Sequence, residues 1–312
     1  MRNFRGSRVL AMGVSFWAMG ALAGANVVRG EEAEPVPGEV DTLGTPQEEE
    51  ETGPNRGRVH LSIGSDIVNA YFFRGILQER DGFIWQPSGL VSVNFYSGDG
   101  VISSWDGSFG VWTSVQTDKT LASGSGPSNW YEADIYPGMS LGFNFGLTTS
   151  LSYVNYTYPN GAFPTVQELD WGLAYDDSEL LGAFSMAPTA TLAFELDNTA
   201  LGTKKGGYCQ LSLTPHHDFD VIENYPITVA APLNLGLSIY DYYEDPNDNS
   251  DTFGFFNFGL NVGIPLPFIP EEYGSLSTKI GITVYVLSSD LEFYNEGDEV
   301  YPVGTWTLAF AY

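Results

Sequence analysis

The sequence predicts an all-β fold, a transmembrane antiparallel up-and-down β-barrel of about 12 strands over residues 58–312. Three observations predict it. Bulky apolar residues alternate with small ones along a dozen segments, which is the period of a strand. No window in 59–312 holds the roughly 20 uninterrupted apolar residues that a spanning helix needs. The face opposite the bulky residues is rich in Gly, Ser, Thr, Asn and carboxylates. That face is too small and polar to fill a dry core, but it suits a wet bore with the bulky face against lipid. A soluble β-sandwich or jelly roll is the competing architecture.

The chain begins outside the barrel. Arg2, Arg5 and Arg8 precede an apolar run from Val9 to about Ala23, and Ala21-Leu22-Ala23 and Ala23-Gly24-Ala25 each offer a small-x-small cleavage site. Residues 1–25 thus have the three-part plan of a secretory signal peptide. No Cys follows the run, so lipoprotein attachment is not indicated. Residues 26–57 carry Glu31, Glu32, Glu34, Glu39, Asp41 and Glu48 to Glu51 among Pro35, Pro37, Pro46 and Pro54. With almost no large apolar side chain to bury, this stretch is expected to be a disordered acidic tail.

The first strand is expected over 58–78, interrupted near Gly64, with Val59, Leu61, Ile63, Ile67, Tyr71 and Phe73 on the outer face and Asp66, Ala70, Phe72 and Arg74 on the inner. The second (85–96) alternates Val91, Val93 and Phe95 with Ser92 and Asn94. The third (105–115) sets Trp105, Phe109, Val111 and Val115 against Asp106, Ser108, Trp112 and Ser114. In the fourth (129–139), Tyr131, Ala133 and Ile135 oppose Glu132 and Asp134. The fifth (143–158) opposes Phe145, Leu147, Leu151 and Tyr153 to Thr148, Ser150 and Ser152. The sixth (165–176) opposes Leu169, Trp171, Leu173 and Tyr175 to Glu168, Asp170 and Ala174.

The later segments repeat the pattern. The seventh (183–196) has Phe184, Met186, Leu192, Phe194 and Leu196 outside and Ser185, Thr189, Thr191 and Glu195 inside. The eighth (206–214) has Cys209, Leu211 and Leu213 outside, and the ninth (226–241) Val229, Leu233, Leu235, Leu237 and Ile239. The tenth (252–264) has Phe256, Phe258, Leu260, Val262 and Ile264 outside; the eleventh (276–288) sets Ile280, Ile282, Val284 and Val286 against Lys279, Gly281, Thr283 and Tyr285. The last (304–312) ends on Trp306, Leu308, Phe310 and Tyr312, all of one parity. This aromatic end resembles the C-terminal signal by which outer-membrane barrels are recognised for assembly. An even strand count returns both termini to one side. Trp85, Trp105, Trp130, Tyr158 and Trp306 sit near segment ends, as interfacial girdles require. Turns at the terminal end are expected near 97–104, 140–142, 177–182, 215–225 and 265–275.

Charge narrows the function. The net charge is −27, and loss of the three signal-peptide arginines makes it about −30. From Val59 onward the basic residues are Arg74, Arg80, Lys119, Lys204, Lys205 and Lys279, against 30 acidic ones. That excludes a nucleic-acid binder, which needs a basic footprint, and suggests a cation-attracting surface or lumen. By strand parity Asp66, Arg74, Asp106, Glu132, Asp134, Glu168 and Asp170 all project inward. Carboxylates in such a wall are costly unless hydrated or paired, so Arg74 is expected to brace Asp66, Glu132 or Asp134. The set reads either as a structural ion network or as a charged constriction that attracts cations.

Four stretches resemble the TorF-type family of outer-membrane porins, a largely uncharacterised group. Ser65-Asp66 followed by Tyr71-Phe72-Phe73-Arg74-Gly75-Ile76-Leu77-Gln78 is similar to its S-D-Y-V-F-R-G-I-S-Q opening, with extra residues between Asp66 and Phe73. Gly110-Val111-Trp112-Thr113-Ser114 resembles its G-x-W-x-S, Glu132-Ala133-Asp134-Ile135-Tyr136-Pro137-Gly138 its E-x-D-x-Y-x-G, and Tyr156-Thr157-Tyr158-Pro159 its Y-x-Y-P. The likeness keeps its order over about 60–175 and is weak beyond. It implies a pore in the outer membrane of a Gram-negative-type bacterium and supplies no solute.

The expectation is a porin-like channel for passive diffusion of small hydrophilic solutes, biased toward cations. Its partners would be outer-membrane lipid and lipopolysaccharide, the barrel assembly machinery and the solutes, with room for an oligomer. Two rival classes stand beside it. One is a non-conducting structural or adhesive barrel whose acidic loops bind calcium through Asp245, Asp248, Asp251 or Asp298; EF-hand spacing is absent. The other is an outer-membrane lipid hydrolase, for which the chain offers His60, His216 and His217, with no G-x-S-x-G. No catalytic residue, metal ligand set or cofactor is assigned. Cys209 is the chain's one cysteine and has no disulfide partner; it is expected to be a packing residue on a strand's apolar face.

Overall fold

The computed structural model describes residues 57–123, 126–201, 204–222, 225–244, 249–270 and 273–312. The expected signal peptide, the expected acidic tail up to residue 56, Asp245 and Asp248 lie outside the described residues. From Val59 the chain winds an antiparallel barrel of twelve staves. They are β1 (Val59–Val68), β4 (Ile84–Ser97), β5 (Ile102–Gln116), β6 (Trp130–Phe143), β7 (Leu147–Thr157), β8 (Val166–Tyr175), β9 (Thr189–Asp197), β10 (Gly207–Leu213), β13 (Leu233–Tyr240), β16 (Phe253–Pro265), β17 (Ser275–Leu287) and β18 (Val300–Ala311). Each stave pairs with the next, and β18 pairs back onto β1 in the register Asp66 to Thr307. The seam is finished by reciprocal backbone bonds of 2.8 Å between Leu61 and Tyr312. Closure leaves none of the twelve staves as an open edge among the described residues, the condition a sheet must meet to cross hydrocarbon.

The outer wall is apolar. Phe95, Phe109, Val111, Met139, Leu151, Leu211, Phe258, Leu260, Ile280, Ile282 and Leu308 are all exposed on it. A band of this extent far exceeds the apolar patches of soluble monomers. Register puts Trp85 and Trp306 opposite the same residue, Ile67, and Trp130 opposite Val115, the partner of Trp85. Three indoles thus share one level near the loop end. Each donates Nε1 to a neighbouring hydroxyl: Trp85 to Ser65 (2.7 Å), Trp130 to Thr113 (2.5 Å) and Trp306 to Thr278 (2.9 Å). Greasy body and wet tip are what an interfacial belt selects. The wall and the closure together make this a transmembrane β-barrel.

Several expectations are corrected. The first strand does not run to residue 78. It stops at Val68, and Tyr71–Phe73 (β2) and Ile76–Glu79 (β3) form a separate two-stranded hairpin. Arg74 and Gly75 both have positive φ, 47° and 80°, the geometry of a tight two-residue turn. The hairpin folds into the barrel, so Tyr71 and Phe73, expected against lipid, are each 7% exposed and lie inside. Tyr131 also turns inward, at 1% exposure, because the β5–β6 register shifts between Ser114 and Val115 and lets two successive side chains face the bore.

At the terminal end the eighth strand continues past residue 214 as β11 (His216–Ile222), which pairs with β12 (Tyr225–Ala230). The expected turn at 215–225 is therefore a hairpin extension. It pairs with the end of β16, through Thr228 to Gly263. The expected strand start at 183 is a short helix, α1 (Ser178–Leu181), and a 3-10 turn over Gly182–Phe184, which leaves Phe184 exposed. Phe145 lies in the turn after β6, not on the fifth strand. A last two-residue pair, β14 (Tyr243–Glu244) with β15 (Ser250–Asp251), caps the loop end.

Candidate functional site

The β2–β3 hairpin is the centre of the molecule's interior. Its flanks carry aromatic and aliphatic side chains at successive positions, Tyr71, Phe72 and Phe73 on one and Ile76 and Leu77 on the other, so that both faces of the hairpin pack on the wall. Tyr71 packs on Trp112 of β5 and Tyr131 of β6, with ring centroids 5.4 and 6.4 Å apart. Phe73 meets Tyr156 of β7 edge-on at 5.3 Å. Phe72 points to the other side and stacks on Tyr285 of β17 at 4.8 Å. The hairpin thus lies across the bore and divides the buried apolar residues into two clusters.

At its tip the Arg74 guanidinium is 4% exposed. Its two terminal nitrogens donate to both oxygens of Glu168, at 2.9 and 2.8 Å, a fork-on-carboxylate pair. Arg74 also donates to the Tyr242 hydroxyl at 2.9 Å and lies 4.3 Å from the centre of the Tyr208 ring. Asp170 is 3.9 Å away. The turn itself is held from outside: Tyr243 Oη donates to the Arg74 carbonyl at 2.9 Å, and Asn295 Nδ2 donates to that of Gly75 at 3.0 Å.

This corrects the expected bracing partners. Arg74 pairs with Glu168 and Asp170 on β8, not with Asp66, Glu132 or Asp134. A plain alternation argument takes Arg74 as a wall residue; because β1 ends at Val68, it is presented from the middle of the bore instead. Glu132, 1% exposed, accepts from Tyr71 Oη at 2.9 Å. Asp66 accepts from Thr307, its cross-strand neighbour, and faces Lys279, which is opposite Thr307 on β17. Asp106 accepts from Asn94 at 2.8 Å, nearer the terminal end.

Among the described residues neither Glu132 nor Asp134 forms an ion pair. Lys279 and Glu195 were legible as inward by parity but were not assigned to the site; Glu195 accepts backbone bonds from Ala200 (2.5 Å) and Gly206 (2.6 Å). Nothing in the sequence marks Asn295 or Tyr242 as partners of the hairpin.

Against the hairpin lies a cavity of about 200 Å³. Asp66, Arg74, Trp112, Asp134, Tyr156 and Asp170 are among the residues that line it. Four buried polar atoms of lining residues have no hydrogen-bond partner: Arg74 Nε, Gln86 Nε2, Asp134 Oδ1 and Asp170 Oδ1. The arrangement can hold a polar guest, since such atoms are costly when left unmatched.

At the loop end, ligand atoms of Glu79, Asp81 and Asp118 come within 4.8 Å of one another. Asp298 pairs with Arg80 at 2.7 Å, and Asp251 accepts from Ser288 at 3.2 Å. His60 lies on β1, and His216 and His217 on β11, all at the terminal end. His217 packs on Phe219 at 4.7 Å.

No known protein family and no curated protein matches the chain. Solved barrels do. An outer membrane channel from Pseudomonas putida is 11% identical, with 89% of this chain and all of that one covered and a TM-score of 0.45. The NanC porin is 8% identical over 81% of this chain and 98% of its own, at 0.39. The translocator domain of the autotransporter NalP from Neisseria meningitidis is 11% identical over 82% and 88%, at 0.40. At TM-scores under 0.5 these likenesses carry no argument about this chain. Its own closure, outer wall and filled bore define it as a transmembrane β-barrel with an internal hairpin.

Proposed function

We propose that the protein is an outer-membrane channel through which small hydrophilic solutes diffuse, with a bias toward cations. The observation that carries this is the bore's unbalanced acidity. Asp66, Asp106, Glu132, Asp134, Glu168, Asp170 and Glu195 face inward, against the cations Arg74 and Lys279. A low-dielectric tube lined by one sign of charge concentrates the opposite sign. The motif resemblance to TorF-type porins supports the same reading and the same membrane. On it, both termini face the periplasm and the hairpin-bearing end faces outward.

The hairpin sets the terms of passage. It lies across the bore, so flow is expected only when it shifts, in brief events rather than a steady current. That same observation favours the second reading, a non-conducting structural or adhesive barrel, for which the Glu79, Asp81 and Asp118 carboxylates offer the better calcium candidates. Planar-bilayer recording in a salt gradient separates the two. Stepwise currents with a reversal potential of the cation-selective sign support the channel. The double variant Glu132→Gln with Asp134→Asn should then lower the cation/anion permeability ratio. An unchanged ratio in a folded variant removes these residues from selectivity, and absence of any conductance leaves the structural reading.

A further inference from the structure

We propose that the cavity beside the hairpin is a binding site for a small organic cation of the quaternary or alkyl-ammonium class. The inference rests on the channel reading for its route of entry, and on the cavity alone for its chemistry.

Volume sets the first limit. An engineered apolar cavity of about 150 Å³ takes benzene, so about 200 Å³ fits a guest of that size or slightly larger. Charge sets the second. The terminal nitrogens of Arg74 are matched by the Glu168 fork, though its Nε is not, and Lys279 lies across Thr307 from Asp66. Asp134 has no cationic partner among the described residues, yet it is 8% exposed and its Oδ1 accepts no bond. Asp170 Oδ1 is likewise unmatched.

The two aspartates sit on β6 and β8 at different levels of the wall: Asp134 is opposite Tyr156 of β7, and Asp170 is opposite Ser152. An ammonium group beside Asp134 would supply what its Oδ1 lacks. Inorganic cations would serve the oxygens but not the rest of the lining, which is aromatic: Tyr71, Phe72, Trp112, Tyr136, Tyr156 and Tyr285 all border the cavity. Ring faces attract alkylated ammonium cations and shed water from them, whereas a strongly hydrated metal ion gains less. A mixed wall of rings and unmatched carboxylate oxygens therefore selects a cation with a greasy body.

The test uses the folded full barrel in detergent and calorimetric titration with choline and with 3,3-dimethylbutan-1-ol, its neutral isostere. Choline is expected to bind at least about tenfold more tightly than the alcohol, the effect of one desolvated cation contact. Asp134→Asn should remove most of that preference. Equal binding of the two ligands, or choline binding by a folded Asp134→Asn barrel as tight as wild type, overturns the proposal. Should Asp134→Asn fail to fold, the wild-type preference for choline over the alcohol decides alone.

Conductance distinguishes the linked readings. Choline binding by a barrel that passes no current supports the site and sinks the channel. Current without choline preference sinks the site and keeps the channel.

Discussion

Replacing Arg74 with Ala asks how firmly the hairpin is held in the bore. The substitution strips Glu168 of both guanidinium bonds and takes from Asp170 its nearby cation. Glu168 is 0% exposed, and stranding one member of a buried ion pair costs about 3–5 kcal/mol. That cost falls on the docked state, because an undocked hairpin lets water reach the carboxylate. Opposing it is the burial of Tyr71, Phe72, Phe73 and Ile76, each at most 7% exposed. At about 1.5–3 kcal/mol per side chain, they hold the hairpin by on the order of 6–12 kcal/mol.

The hairpin therefore stays docked on average, while its undocked fraction rises by roughly two to three and a half orders of magnitude. Single-channel recording should show far more frequent brief openings. Urea titration followed by tryptophan fluorescence should show a lower midpoint, reported in part by Trp112 beneath Tyr71. Adding Glu168→Gln to Arg74→Ala should restore much of the lost stability, since it removes the stranded charge. Opening frequency and midpoint both equal to wild type in Arg74→Ala would refute the bracing role.

Two further predictions concern the terminal end. Asp177, in the connection after β8, is buried, which disfavours its charge; yet bonds from Ser185 Oγ (2.6 Å), Met186 N (3.0 Å) and Ala187 N (3.1 Å) hold its carboxyl below the usual Asp range. A depressed folded value means the stabilisation is whole above the ordinary Asp range and fades as pH falls through the folded value. Amide protection in 178–188 should accordingly drop at strongly acidic pH, and Asp177→Asn should show low protection already at pH 6; a pH-independent pattern would contradict this. Removing Tyr312 deletes the 2.8 Å seam bonds with Leu61 and the aromatic end of the proposed assembly signal Trp306, Leu308, Phe310 and Tyr312. The truncated chain should assemble poorly in cells while still folding in detergent. Equal assembly in cells would dismiss the signal.

The wall of the barrel was legible because strand parity is a local property. Phe109, Val111, Leu151, Ile280 and Trp306 were expected outside and are exposed there; Asp106, Glu132 and Glu168 were expected inside and are buried. Parity failed where the backbone changes its count. A bulge at Tyr131 advances the alternation by one. After Val68 the chain leaves the wall altogether, though Tyr71 to Arg74 keep a strand-like alternation, because a buried hairpin offers apolar partners to both of its faces. The extra residues that separate Asp66 from Phe73 were visible as a departure from the TorF-type pattern. They are the stretch in which the chain turns from wall to plug. The partners of Arg74 could not be read at all, since pairing across a bore depends on where the hairpin tip comes to rest.

That position has a consequence for selectivity. A hole that widens ordinarily discriminates less, because the field at its centre weakens with distance and is screened by salt. Here the element that would open the bore also carries the buried guanidinium, with Lys279 left beside Asp66 as the remaining inward cation among the described residues. Arg74→Ala should therefore raise both the opening frequency and the cation preference of the open state. Phe72→Ala loosens the same hairpin by removing its stack on Tyr285 and leaves every charge in place. Its openings should be as frequent or nearly so, but no more cation-selective than those of the wild type. Reversal potentials for the two variants, measured in the same low-salt gradient, separate loss of charge from loss of packing. If the two coincide, the arginine acts as a mechanical latch and the acidic wall alone sets selectivity.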